Sequence, residues 1–462
     1  MKKGRIVLLA ALALMCLGFQ VYAGGGQEAE LVKEGSVSLW TGWPLLSEVF
    51  DQVKKDYEAA NPQVNLEIAH FNLREFEQKL AISVPAGQGP DIFIASEFIM
   101  PQYIEAGFVA KPPQEIVDFV EGSYDKLVRA VNMWTGPGDT KAQIYGVPHI
   151  GIARVMYHNR DIFRESGLPD RSPDTWDELF TFGQKAARWD SSGTLTRSGI
   201  SLRLFGGGSG VTEKYNIKLC QAGGSVLGKT ADGKWKAYYD NQAGVDAMNF
   251  YLDALYEYKI ESFEIKHDAQ AFMNGQTAMF QRELWPTPSF KKNAPDLSFG
   301  TSVMPAFKQR GTVYSTESAF VAKSSGNQPL AWDVIEFFNQ PVYLKAWFKT
   351  QGWVPPRIDI DYSDIFAEMP EYKAAFDFPE GYLLTLYPAI PPIDEINTKF
   401  GERLEKAFKN ASLAGNNAAI KRFLDEAAAE TNKILADNGL LGEGSVVSGN
   451  WVEAPKDLGY KF

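Results

Sequence analysis

Cysteine is almost missing from this chain: its 462 residues hold two, Cys16 and Cys220. Cys16 falls in an N-terminal leader, which leaves one thiol in the remainder and no internal disulfide, so the fold has to rest on its apolar core. Histidine is scarce as well. His70, His149, His158 and His267 form no HExxH pair and no His/Cys cluster, no GxSxG nucleophile elbow is present, and the glycine-rich run Phe205 to Gly210 lacks the Lys-Ser/Thr that would make it a phosphate loop. No cofactor and no metal are expected. Positive charge is in short supply against a formal net charge of −11, which works against nucleic acid and anionic lipid as partners. Long hydrophobic runs are absent apart from Ile6 to Leu17, well under the roughly 20 residues of a membrane-spanning helix. There is no sustained repeat or low-complexity tract.

Lys2, Lys3 and Arg5 precede that apolar run, and Val21-Tyr22-Ala23 follows it as a small-residue cleavage site, so residues 1–23 read as a secretory signal peptide. Cleavage would remove three basic residues and take the formal charge from −11 to −14. Cys16 has the alternative role of a lipid-anchored cysteine, although Met15 before it is larger than such sites prefer. Residues 24–35 form a short polar leader. The remaining chain exceeds the roughly 250–300 residues at which one hydrophobic core stops growing, so two lobes are expected.

Val37 and Leu39 begin a strand. Leu46, Val49, Phe50, Val53 and Tyr57 recur at helical spacing up to Asn61-Pro62, and Val64, Leu66 and Ile68 alternate as a second strand, parallel to the first. Phe76, Leu80 and Val84 predict another helix, Gly87 to Pro90 breaks it, and Asp91 to Ala95 is a short apolar strand. Ligands in such open α/β sheets bind beyond the carboxyl ends of the strands, which points to Thr41 to Trp43 and to Ala95 to Phe98. His149 to Tyr157 reads as one buried strand ending at His158-Asn159, followed by a helix over Asp161 to Ser166 and a stop at Gly167. Thr175 and Glu178 have capping-box spacing. Further helices are expected over Asn241 to Tyr258, Phe272 to Gln281 and twice within 395–437, and Asn438 to Phe462 reads as an irregular surface tail. Tyr238-Tyr239, a pair like that of ferric-ion binders, is better explained by strand alternation.

The stretch from Tyr145 to Leu179 carries YGVP, a strand, Tyr157-His158-Asn159-Arg160-Asp161 with Phe163, then Glu165 to Leu168 and Thr175-Trp176 with Glu178-Leu179. In this it resembles the extracellular solute-binding proteins of ABC importers, family 1, the maltose-binding-protein-like sugar receptors. AGQGPDIFIAS, YIEAGFVAK, LCQAGGSV, FMNGQTAMFQRELW, Val303-Met304-Pro305 and QGWVPPR are similar to further segments of that family, so the likeness covers most of residues 36–437.

The resemblance implies an α/β chain with the two-lobed periplasmic-binding-protein fold, a Venus flytrap of type II with each lobe a sheet flanked by helices. It implies an N-terminal lobe of 36–148 and 304–352, a C-terminal lobe of 149–303 and 353–462, and crossings between them that act as a hinge. It implies a monomeric, extracytoplasmic receptor that hands a carbohydrate to the membrane permease of an ABC importer and is not an enzyme. A secreted glycoside hydrolase is the alternative, since its paired carboxylates would be matched in space and not in sequence. Sugar sites pair flat aromatic faces with planar polar groups. The loop aromatics Trp43, Phe205, Trp285 and Trp353 and the polar Glu97, His149, Arg154, Glu317 and Arg357 are therefore the candidate ligand-binding residues. Each has a bland counterpart: an aromatic in the core, Glu97 in solvent, Arg154 in an internal salt bridge.

Overall fold

The computed structural model describes residues 33–265, 268–456 and 460. The expected signal peptide, Cys16, most of the expected polar leader and His267 lie outside the described residues.

The first helix forms where the apolar spacing predicts, over Ser47–Ala60, burying Val49, Phe50, Val53 and Tyr57, and it stops before Pro62. It connects strands Glu34–Thr41 and Gln63–His70, which pair in parallel from Glu34 with Gln63 to Thr41 with His70. Strand Ile92–Ser96 adds to the other side of the first strand, also in parallel. Its side chains alternate, Ile92 and Ile94 to one core and Phe93 and Ala95 to another, so helices cover both faces of the sheet.

The long strand Gly311–Val321 brings the chain back. It runs antiparallel to Ile92–Ser96 through Glu317 to Val321 and antiparallel to Val147–Ala153 through Tyr314 to Ala319. Leu383–Thr385 and Trp451–Glu453 complete a seven-stranded sheet.

The expected single strand from His149 to Tyr157 is instead two, Val147–Ala153 and Val155–Asn159, interrupted at Arg154. The first belongs to the large sheet. The second pairs antiparallel with Met279–Arg282 and Phe299–Ser302 in a separate three-stranded sheet. The chain changes sheets at Arg154, and a second core follows, built from Trp176, Tyr215, Met248, Phe400 and Leu424 among others.

Asn159 caps the next helix, Arg160–Glu165, and Gly167 takes φ 65° beyond it. Thr175 Oγ1 accepts from the Glu178 amide, the expected half of the capping box. The Glu178 carboxylate turns to the Asp174 amide and to Arg171, so the reciprocal half is not made. The helix expected over Phe272 to Gln281 is also not continuous. It occupies Asp268–Met273, ends at Gly275 with φ 68°, and gives way to strand Met279–Arg282, because pairing with Val155–Asn159 outweighs local helical spacing. Nor is the C-terminal segment irregular: Val446–Gly449 and Trp451–Glu453 are edge strands on two different sheets, and Tyr460 is buried with its hydroxyl donating to the Pro355 carbonyl. Tyr238 and Tyr239 follow the strand Trp235–Ala237 instead of lying in it, and Tyr239 stacks on Phe400 at 4.0 Å.

Candidate functional site

A cavity of about 270 Å³ opens where the ends of the large sheet face the second α/β body. That volume is at the lower edge of the roughly 300–1,000 Å³ usual for small-molecule sites. The loops after the first and third strands both reach it, through Trp43 and through Ser96 and Phe98, as the strand-end rule expects. Glycine at 352 helps to build the aromatic wall. It has φ 64°, and a Cβ there would stand 2.6 Å from the Leu284 carbonyl oxygen and 3.0 Å from the Trp285 Cα, so the Trp353 loop closes tightly on the Trp285 loop. Trp353 meets Trp43 edge to face at 5.1 Å. The Trp353 Nε1 is buried with no hydrogen-bond partner.

Five of the nine candidate residues thus meet around one cavity: Trp43, Arg154, Trp285, Glu317 and Trp353. Glu317 accepts from Trp43 Nε1 at 2.7 Å and from Ser96 Oγ at 3.1 Å. Burial pushes its carboxyl up to about 8, against those two hydrogen bonds, so near neutral pH it is largely protonated. Arg154 is the hub of a charged floor. Its guanidinium reaches Glu213 at 2.9 Å, Glu283 at 2.8 Å and Ser315 Oγ at 2.6 Å, and Lys214 bridges the same two carboxylates at 2.8 and 3.0 Å. Burial works against both carboxylates, yet the adjacent cations outweigh it and hold each below the ordinary carboxylate range.

The other four candidates do not line the cavity. Glu97 is one residue past Ser96, which lines the cavity; its carboxylate accepts from the Thr316 amide at 2.9 Å, and burial raises its carboxyl to about 8. It is fully enclosed, not solvated. His149 sits among Phe338, Trp347 and Phe50, where burial lowers its imidazole to about 4. Phe205 packs against the second core. Arg357 faces a different surface, held by Asp359 and the Asn339 carbonyl and lying over the Phe119 ring at 5.0 Å.

Sequence reading missed the charged residues of the floor, Arg203, Glu213, Lys214, Arg282 and Glu283. A signal was present. Glu213 and Lys214 lie on a helix, Gly210–Ala222, whose apolar residues run all round it, with Val211, Tyr215, Ile217, Leu219 and Ala222 all buried. Arg282-Glu283 ends a buried strand just before Trp285. Charge inside a stretch otherwise fit for the core points to a paired network or a wet cleft. Among the described residues no group of His, Cys, Asp or Glu is arranged to hold a metal ion, and no helix is long and apolar enough to cross a membrane.

Two α/β bodies joined by strands that pass from one sheet to the other, with a polar and aromatic cavity between them, make the fold that of a periplasmic-binding-type receptor. The chain belongs to the bacterial extracellular solute-binding protein family, which it matches over residues 52–374. It is 25% identical over 360 residues to a Brucella abortus protein described only as a binding protein, covering 77% of this chain and 81% of that one. It is 23% identical to the maltotriose-binding protein of Pyrococcus abyssi, covering 71% and 68%. In solved structures it superposes on an ABC-transporter solute-binding protein of Thermotoga lettingae bound with α-D-tagatose, with a TM-score of 0.74, 22% identity and coverage of 87% and 100%.

Proposed function

We propose that the protein is an extracytoplasmic receptor that captures a carbohydrate between its two lobes and delivers it unchanged to the permease of an ABC importer. The observation that carries this is the meeting of Trp43, Trp285 and Trp353 with Arg154 and Glu317 around one cavity. Indole faces suit the C–H surface of a pyranose, and the charged and carboxyl groups beside them suit its hydroxyls. A disaccharide or longer ligand is favoured, in keeping with the maltotriose named for the Pyrococcus relative.

The same proposal divides the chain into lobes of 36–148 with 304–352 and 149–303 with 353–462. The lobes close about crossings near Val147–Ile150, Phe299–Pro305 and Gly352–Arg357. Ligand favours the closed form because only there do both lobes touch it. Secretion by residues 1–23, a monomeric state and the absence of catalysis belong to the same reading.

A thermal-shift screen over mono- and oligosaccharides, with chromatography of each hit after long incubation, is the test. A binding sugar raises the melting temperature by mass action and is recovered intact. Breakdown of the sugar would replace the receptor reading with the hydrolase.

A further inference from the structure

One of the cations that line the cavity stands outside the ion pairs that hold the others. Arg154, Lys214 and Arg282 are matched by Glu213, Glu283 and Asp268, with Arg282 at 3.4 Å from Asp268 and 3.2 Å from Glu283. Arg74 is matched by Glu77 at 2.5 Å. Arg203 is left over. It lines the same cavity, has no ion-pair partner among the described residues, and its Nε is buried without any hydrogen bond. Burial, with repulsion from Arg282, lowers its affinity for its own proton against the more distant attraction of Asp268, Glu213 and Glu283.

The local backbone is built to seat this guanidinium. A Cβ at Gly210 would lie 3.1 Å from the Arg203 Cζ and Nε, and one at Gly206 would lie 3.2 Å from its Nη2. Gly206 has φ 126°, which side chains rarely adopt. The glycine run that makes no phosphate loop therefore serves as a flat rest for an arginine at the cavity wall. A guanidinium with no ion-pair partner in contact and a cationic neighbour is costly to keep in the apo protein, and an anionic group brought by the ligand offsets both.

We infer that the solute carries an anionic oxygen group, a carboxylate or a phosphate, and that Arg203 is the residue that binds it. The inference rests on the sugar-receptor reading and narrows it to acidic sugars, such as uronates, or sugar phosphates. Arg282 stands next to Arg203 as a second, shared cation, while Trp43, Trp285 and Trp353 hold the ring portion.

The test is calorimetric titration of the purified secreted protein with matched pairs: galacturonate against galactose, digalacturonate against a neutral disaccharide, glucose 6-phosphate against glucose. In at least one pair the charged member should bind tighter by about tenfold or more, the scale of a charge-assisted hydrogen bond. Preference within the uronate pairs or within the phosphate pair identifies the anion. Arg203→Gln should abolish the preference while leaving the apo melting temperature unchanged or higher. The wild-type pairs decide the anion claim without any variant, and Arg203→Lys, which should keep a reduced preference, covers an Arg203→Gln that does not fold. Neutral sugars binding as well as acidic ones would overturn the inference and leave the sugar receptor standing. A preference that survives Arg203→Gln would overturn the role of Arg203. Binding of no sugar, charged or neutral, would overturn the inference together with the reading beneath it.

Discussion

Replacing Arg154 by Met tests the charged floor of the cavity. Arg154 is 5% exposed and lies at the point where the chain leaves one sheet for the other. Its guanidinium donates to Glu213 through both Nε and Nη2, to Ser315 Oγ and to the Ile152 carbonyl, and stands 2.8 Å from Glu283. Met fills much of the volume and leaves two buried carboxylates that repel each other, with Lys214 and Arg282 as their remaining cations. Breaking a buried pair from one side costs about 3–5 kcal/mol, and urea melts at neutral pH should show a loss in that range. The pH dependence follows from the carboxylates. In the wild type both are held below their unfolded values, so they contribute stability above the ordinary carboxylate range that is lost as pH falls through their folded values. In the variant their folded values rise, protonation relieves the repulsion, and the deficit should shrink as pH falls from about 7 towards about 4. Adding Glu213→Gln should recover part of the loss, giving a coupling of about 1 kcal/mol or more. A loss under about 1 kcal/mol at pH 7, or a deficit that grows on acidification, would refute the account of the charged floor.

Trp285→Ala and Trp353→Ala should each weaken sugar binding by roughly 10- to 150-fold, from about 1.5–3 kcal/mol of lost apolar burial, with the denaturant melt little changed; a melt lowered by about 3–5 kcal/mol with unchanged affinity would make them core residues instead. Lys218 is fully buried over the Phe250 ring at 4.5 Å, with its amine 3.5 Å from Gln221 Oε1, and burial lowers it from 10.5 to about 7. The folded protein then binds fewer protons than the unfolded chain between those values, so this residue makes stability rise with pH from about 7 to about 10.5. Lys218→Met should therefore stabilise most below pH 7, by a few kcal/mol, and urea melts across that range showing no gain would refute the assignment.

Much of the fold could be read from local pattern because local pattern made it. The Val49, Phe50, Val53 and Tyr57 stripe is the buried face of its helix, and the alternation at Val64 and Leu66 is that of its strand. Phe272 to Gln281 was less legible, since strand pairing with residues more than a hundred positions away decides its second half. The break at Arg154 was hidden for the same reason: the apolar run continues on both sides, and only the change of pairing partner marks it. The aromatic wall was visible as Trp residues in loops. Its polar complement was not, because the pairs are distant in the chain: Trp43 with Glu317 across 274 positions and Arg154 with Glu213 across 59. At the end of the third strand it is Ser96 that lines the cavity and Glu97 that does not, a difference of one residue in register that a strand-end pattern does not resolve.

In the proposed function the ligand is held between two lobes that close on it. Small-angle scattering of the protein with and without a saturating sugar from the screen measures this directly. A smaller radius of gyration is expected at saturation, from rotation of the lobes about the crossing segments. An unchanged radius at saturation, with binding confirmed by calorimetry in the same sample, would contradict it.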